Sequence, residues 1–381
     1  MIALSQAYTP GLKRKEATLI RKTRMLPIPG KIIVGVGDTV SKDTVVAKAE
    51  TLGEPEIVKV CAILGIDPDQ IEKHMVKQEG DGVSEGEAIA CYRALFGLIK
   101  SDCFSPIDGT IESFSSITGQ AIIRSHPKPI DIDAYIPGKV VRIIQDEGVI
   151  IETYAAFIQG AFGIGGENHG EIKMASETPS DVLTADRITP DCKGKVLVGG
   201  SMVTAEALKK SLEVGARGIL VGGIMDEDLT DFLGYRIGVA ITGHEKTGLT
   251  LVATEGFGRM NMLEKTFRIL QRNEGRTACI NGATQIRAGV IRPEVIIPIP
   301  SPGDASAAPA LAEEELSGGM EAGTFVRIIQ EPYFGQVGYI CSLPPELQHV
   351  ETESTVRIVE VELENGERVK VPRANVEIIE E

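Results

Sequence analysis

A glycine turn followed by a short β-branched strand recurs through the first 150 residues, and it constrains the fold more than any other feature. Val36-Gly37-Asp38-Thr39-Val40 leads into Val45-Val46-Ala47, and Gly80-Asp81-Gly82-Val83-Ser84-Glu85-Gly86-Glu87 leads into Ala88-Ile89-Ala90. Ser105-Pro106-Ile107-Asp108-Gly109-Thr110-Ile111 and Ile136-Pro137-Gly138-Lys139-Val140-Val141 add two more units. Gly-Asp, Asp-Gly or Pro-Gly between β-branched runs is hairpin chemistry. Residues 1–150 therefore read as a β domain. One helical interruption is expected within it, because Ile57, Val60, Cys61, Leu64, Ile71 and Met75 fall at helical spacing.

A chain of 381 residues is too long for one ordinary domain. No apolar run reaches the length of a membrane span, and no secretory leader is evident at residue 1, so a cytoplasmic protein without membrane contact is expected. The six cysteines contain no C-x-x-C, which points to reduced thiols with neither a metal site nor a disulfide framework. Net charge is −15, which disfavours nonspecific nucleic-acid binding. One stretch runs the other way: Lys13, Arg14, Lys15, Arg21, Lys22 and Arg24 stand against Glu16 alone. It reads either as a solvated arm or short basic strand, or as a contact to RNA or an acidic partner.

Residues 151–178 form a Gly-rich stretch, read as a connector. Gly163, Gly165, Gly166, Glu167 and His169 are its candidate ligand residues. A dinucleotide fingerprint fails there, because Asn168 stands where the third glycine belongs and no helical pattern follows. Glu167 and His169 alone are too few to hold a metal. Residues 179–300 read as an α/β domain. Lys195–Ser201, a strand ending in a turn, a Thr204–Val214 helix closed by Gly215, and a strand over Arg217–Gly223 make a βαβ unit with parallel strands. Further helices are expected at Asp226–Leu233 and Met260–Gln271, with strands at Ile237–Gly243, Leu249–Thr254 and Val290–Ile299. Ligands of open α/β sheets bind beyond the carboxyl ends of the strands. Gly199, Gly200, Ser201, Gly243, His244 and Glu255 are the candidates at those ends, against the plainer reading that short loops favour glycine. Residues 301–320, rich in Ala, Pro and Glu, read as a linker, and 321–381 as a small β-barrel.

Two resemblances follow from these residues. The repeated turns of the first domain resemble a barrel-sandwich hybrid, the fold of lipoyl and biotinyl carrier domains and their non-carrier relatives. In carriers a hairpin lysine receives the cofactor. The nearest counterpart is Lys48, which lacks the flanking residues of either carrier site, so a non-carrier module without cofactor is expected. Gly323, Val326, Arg327, the Pro332-Tyr333-Phe334-Gly335 turn and Gly338 resemble a KOW motif in an SH3-like barrel. That resemblance implies contact to RNA or protein through Arg327, Tyr333, Phe334 and Gly335. Residues 321–381 carry five Lys and Arg against twelve Glu, which favours protein.

The expected architecture is multidomain α+β: an N-terminal barrel-sandwich hybrid, a central α/β domain and a C-terminal SH3-like barrel. No G-x-S-x-G, P-loop or H-E-x-x-H occurs, and no catalytic residue is assigned. The expected function is a non-enzymatic adaptor or scaffold in a cytosolic assembly, in the setting of transcription or translation that the KOW resemblance implies. Two alternatives stand beside it: an enzyme or ligand sensor with its site between the Gly160–Gly170 loop and the α/β strand ends, and a self-assembling structural protein or homo-oligomer.

Overall fold

A computed structural model describes residues 12–94, 99–236, 245, 247–285, 291–300, 310–311, 320–330, 332–344, 347–349 and 355–380. The chain is mostly β and is built around one large mixed sheet. The expected strand Ile237–Gly243 and the candidates Gly243 and His244 lie outside the described residues.

The longest strand is β1, Leu12–Met25, which carries the basic stretch. It runs antiparallel to β2 (Gly148–Gln159) over most of its length. β3 (Phe162–Ile164) and β4 (Glu167–Met174) follow, so most of the stretch read as a connector, up to Met174, lies in strands of the central sheet. β5 (Lys195–Val198), helix α1 (Ala205–Val214) and β6 (Gly218–Ile224) form the βαβ unit, with β5 and β6 parallel. Thr204 caps α1 by accepting from the Ala207 N–H at 3.2 Å, and Gly215 closes it at φ 83°. Helix α2 (Asp226–Leu233), β7 (Thr250–Phe257), helix α3 (Glu264–Arg272), β8 (Thr277–Asn281) and β9 (Glu294–Pro298) complete the central unit.

The strand order is β3-β7-β6-β5-β4-β8-β9-β2-β1. Only Gly160 and Ala161 separate β2 from β3, yet the two pair at opposite ends of this order. The sheet therefore curls back on itself. Leu197, Ile219, Val221 and Leu251 bury one face beneath α1 and α2. Val196, Val198, Leu220 and Val252 bury the other with Phe267 and Leu270 of α3. This alternation is the period-two pattern of strands covered on both sides.

Two copies of one arrangement precede this unit, one nested inside the other. In the outer copy Thr39–Val40 pairs with Gly138–Lys139, Val45–Glu50 pairs with Pro129–Asp133, and Gly138–Ile144 pairs with β2. In the inner copy Gly82–Val83 pairs with Gly109–Thr110, Ala88–Ala94 with Ile99–Phe104, and Gly109–Ser115 with Gln120–Ser125. The hydrogen bonds correspond one by one. Gly37 N–H donates to Val140 O as Gly80 N–H does to Ile111 O. Asp38 caps its own turn at the Gly35 N–H as Asp81 does at the Gln78 N–H. Ile33 N–H donates to Val46 O as Val76 N–H does to Ile89 O. Gly138 and Gly109 share one constraint, because a Cβ would stand 2.3 Å from Glu152 O or 2.2 Å from Arg124 O. The Gly-Asp turns thus feed strands whose partners are far along the chain.

The inner copy occupies the interval between Glu50 and Pro129, which are themselves paired across the outer hairpin. Its ladders stay within residues 55–125. Among the described residues, its core of Val58, Val60, Leu64, Ile71, Val83, Ile89, Cys103, Ile111 and Ile123 draws on no other part of the chain. The expected helical interruption is one short part of it, Val60–Leu64 and Ile71–His74.

At the C-terminal end β10 (Phe325–Ile328), β11 (Val337–Ser342), β12 (Thr355–Leu363), β13 (Arg368–Pro372) and β14 (Val376–Glu380) form an antiparallel unit in the order β13-β12-β11-β10-β14. β14 also runs parallel to β1, pairing Leu12 with Ile379 and Lys13 with Glu380. One strand thus joins the outer copy, the central sheet and the terminal unit.

Candidate functional site

The glycines at the strand ends make room for the protein's own chain. A Cβ on Gly200 would stand 2.5 Å from both Thr178 O and Asp181 O, and one on Gly199 would meet Val221 Cγ1 at 2.8 Å. Gly163 lies under Gly282 O and Leu251 O, and Gly165, at φ 75°, under Leu249 O. Gly222 and Gly223 are closed off by the carbonyls of Met260 and Gly258. Ser201 is buried and its hydroxyl donates to Ser180 O at 2.9 Å, so it is held as a structural donor. Gly166 is exposed, and its carbonyl accepts from Thr250 Oγ1. Only the space around each Cβ, which sequence does not carry, separates close packing from a ligand cradle.

Glu167 and His169 sit at the contact between the central sheet and the outer copy. Arg24 of β1 binds Glu167 through both terminal nitrogens and reaches Asp133 at 3.1 Å. Its guanidinium lies 5.3 Å above the Tyr135 ring. Tyr135 is buried and adopts φ 63°, with its N–H donating to Lys42 O and Asp133 Oδ1. Lys22 pairs with Glu294 at 2.7 Å. His169 lies directly opposite Cys279 across β4 and β8, and its Nε2 is 3.5 Å from Asp43 Oδ1. A His–Cys neighbour pair suggests a nucleophile, but the electrostatics oppose it. Burial pushes the Cys279 thiol up to about 12. Partial burial, reinforced by Lys42, holds His169 below its ordinary value. Both are neutral near pH 7, and a buried thiol is inert as a nucleophile.

Glu255 belongs to a different place. Both its carboxylate and Arg14 are about 1% exposed, and Arg14 Nη2 meets it at 3.0 Å. Arg327 of β10 pairs with the same oxygen and also donates to Glu255 O. The other carboxylate oxygen accepts from Thr254 Oγ1 at 3.0 Å and from the Leu263 N–H at 3.2 Å. Arg14 Nε donates to Thr266 Oγ1 at 2.9 Å. Glu377 faces Arg327 at 3.8 Å and Arg292 at 3.1 Å. The cluster locks β1, β7 and the C-terminal unit together. Burial draws Arg14 down to about 10 and Arg327 to about 9, so the desolvation of both cations exceeds what their partners return.

These positions correct one expectation and agree with one of two readings of another. Arg327, expected at a partner-facing edge, is buried in an internal ion pair. The basic stretch is a strand whose Arg14, Arg21, Lys22 and Arg24 all face carboxylates of this chain. The structure gathers Glu167 with His169, and it sets Glu255 among arginines at another interface. The Tyr333–Gly335 turn faces the Gly258–Met260 segment, with Phe334 still 40% exposed. Lys48 lies mid-strand, paired with Asp131 at 3.1 Å. Among the described residues no three His, Cys, Asp or Glu side chains gather to hold a metal ion, and no helix is long and apolar enough to cross a membrane. No known family model matches this sequence, and no curated protein matches it significantly.

The thiols give a direct check of this packing. Cys61, Cys103, Cys192 and Cys279 are buried, and burial pushes Cys103 up to about 11. Cys91 and Cys341 are partly exposed. Titration of the native protein with a chromogenic disulfide reagent is expected to show two fast thiols, with the other four appearing on unfolding. Fast reaction of Cys279 would contradict the closed contact between the sheet and the outer copy.

Proposed function

We propose that this chain is a non-enzymatic scaffold or adaptor subunit of a cytosolic macromolecular assembly. The observation that carries the reading is β1, which hydrogen-bonds to the central sheet and the C-terminal unit together. A chain whose parts are fixed in one orientation suits holding partners at set positions. The polar groups that could have supplied chemistry are instead engaged between its units: Glu167 with Arg24, and Glu255 with Arg14 and Arg327. The resemblances of the first and last units to barrel-sandwich hybrid and KOW modules support the same reading by fold analogy. The acidic C-terminal unit favours protein over bare RNA.

Affinity capture of the full chain from its own cytosol, with and without RNase, tests this. Stoichiometric protein partners that survive RNase are expected. Recovery of the chain alone, at native abundance and low salt, would overturn the reading. Loss of every partner on RNase treatment would replace it with an RNA-bound role.

A further inference from the structure

Beside the Arg14 cluster, two open grooves flank the start of α3 where the C-terminal unit meets the central one. One, of about 660 Å³, has apolar walls from Met260, Met262, Phe334, Val337 and Leu363. The other, of about 420 Å³, runs past α3 to the tilted pair Phe325 and Tyr339, whose ring centroids are 4.9 Å apart. Leu263, Glu264 and Glu364 border both, so the grooves adjoin.

Their charge is opposite to that of the whole molecule. Arg14, Arg259, Lys265, Arg268 and Arg272 line them. The acidic residues among the described ones are Glu16, Glu264 and Glu364. With Arg14 neutralised by Glu255 behind it, four cations stand against these three anions, a small positive excess on a chain of net charge −15. Lys265, Arg268 and Arg272 share one face of α3, being three and four residues apart. Arg268 and Arg272 are 62% and 65% exposed in their side chains, and their pairs with Glu264 and Glu16 are surface pairs that a competing carboxylate can displace.

One further feature favours an anion there. Arg14, fully buried behind the groove it lines, keeps Nη1 without a hydrogen-bond partner among the described residues.

We propose that the joined groove docks an acidic peptide segment of a partner protein. An apolar side chain of the segment sits against Met260, Phe334 and Leu363, and its carboxylates lie along Lys265, Arg268 and Arg272. The proposal deepens the scaffold reading and rests on it for the existence of a partner. It commits to a peptide because the adjoining open grooves set a basic part beside an apolar part, whereas a small free anion would leave the apolar part empty.

The test is selection of a random-dodecapeptide display library on the immobilised full chain, followed by fluorescence anisotropy of the enriched peptides. Enriched sequences are expected to place Asp or Glu beside a large apolar residue, and their binding to weaken as salt rises. Joint charge reversal, Lys265→Glu, Arg268→Glu and Arg272→Glu, is expected to weaken binding by at least about tenfold, the loss of several partly exposed charge contacts. Reversal of the exposed Lys31, Lys73 and Lys100 should leave it unchanged, which removes net charge as the cause. Phe334→Ser should weaken binding with no change in charge. Neutral or basic enriched sequences, no enrichment, or equal binding to the α3 variant would each overturn the groove. Cytosolic capture separates this from the broader reading. Undiminished partners on the α3 variant sink the groove alone, whereas no partner on the unmodified chain sinks the scaffold.

Discussion

Replacing Glu255 with alanine is expected to release the C-terminal unit from the central sheet. The substitution leaves Arg14 and Arg327 buried side by side with no carboxylate between them. Removing one member of a buried ion cluster costs about 3–5 kcal/mol, because the uncompensated charges stay desolvated. A domain of this size is held by only about 5–15 kcal/mol, so the loss is large. Urea unfolding followed by circular dichroism should show a lower midpoint, and limited proteolysis should cut first around residues 320–325. The informative contrast is the apolar triple variant Arg14→Met, Glu255→Leu, Arg327→Met. It removes Arg14, Glu255 and Arg327 together, leaving Glu377 paired with Arg292, and is expected to be as stable as the native chain, or more so by about 1–4 kcal/mol. Equal stability of Glu255→Ala and the native chain would show that the cluster is not the lock described.

Excising residues 52–127 is expected to leave the remainder folded. Glu50 and Pro129 are paired neighbours, and Thr51 N–H donates to Lys128 O at 3.0 Å. An Asn-Gly turn between Thr51 and Lys128 therefore closes the outer hairpin with the geometry that two-residue loops prefer. The excised piece should fold alone, since its ladders and core are its own. It is small, so a marginal stability of a few kcal/mol is expected. Both halves can be expressed separately and followed by thermal unfolding. A shortened chain that aggregates, or an isolated piece without a cooperative transition, would show that the inner copy is structurally committed to the rest.

The nested copies mark how far sequence reading reaches. The recurring turns at Gly37-Asp38 and Gly80-Asp81, and at Gly109 and Gly138, were visible as a theme. Their nesting was not, because the inner copy separates Val40 from its partner Gly138 while leaving Val83 close to Gly109. Turn chemistry is local, whereas strand pairing is not. The helices Thr204–Val214 and Asp226–Leu233 were legible because the Gly215 cap and apolar spacing of the one and the acidic first turn of the other are local. The site residues were read less well for a related reason. Arg327 in a strand looks the same whether it faces solvent or Glu255, and nothing near it in sequence names a partner 72 residues away. Gly200 likewise looks the same under a ligand or under the carbonyls of Thr178 and Asp181. The stripe of Lys265, Arg268 and Arg272 was present as spacing, and it acquired meaning once α3 was placed against the C-terminal unit.

The parallel pairing of Leu12 and Lys13 with Ile379 and Glu380 sets a delay during synthesis. The first strand leaves the ribosome long before its last partner exists. At about 5–20 residues per second the interval is on the order of 20–70 s. Throughout that time the start of β1 has an open edge, the kind of surface that recruits other nascent chains. Lys13, Arg14 and Lys15 sit at that edge, and charged side chains blunt such edges. Arg14, which ends as an internal ion partner, and its neighbours Lys13 and Lys15 therefore guard the unfinished chain, so neutralising Lys13 and Lys15 should lower soluble yield more than it lowers the stability of protein already folded.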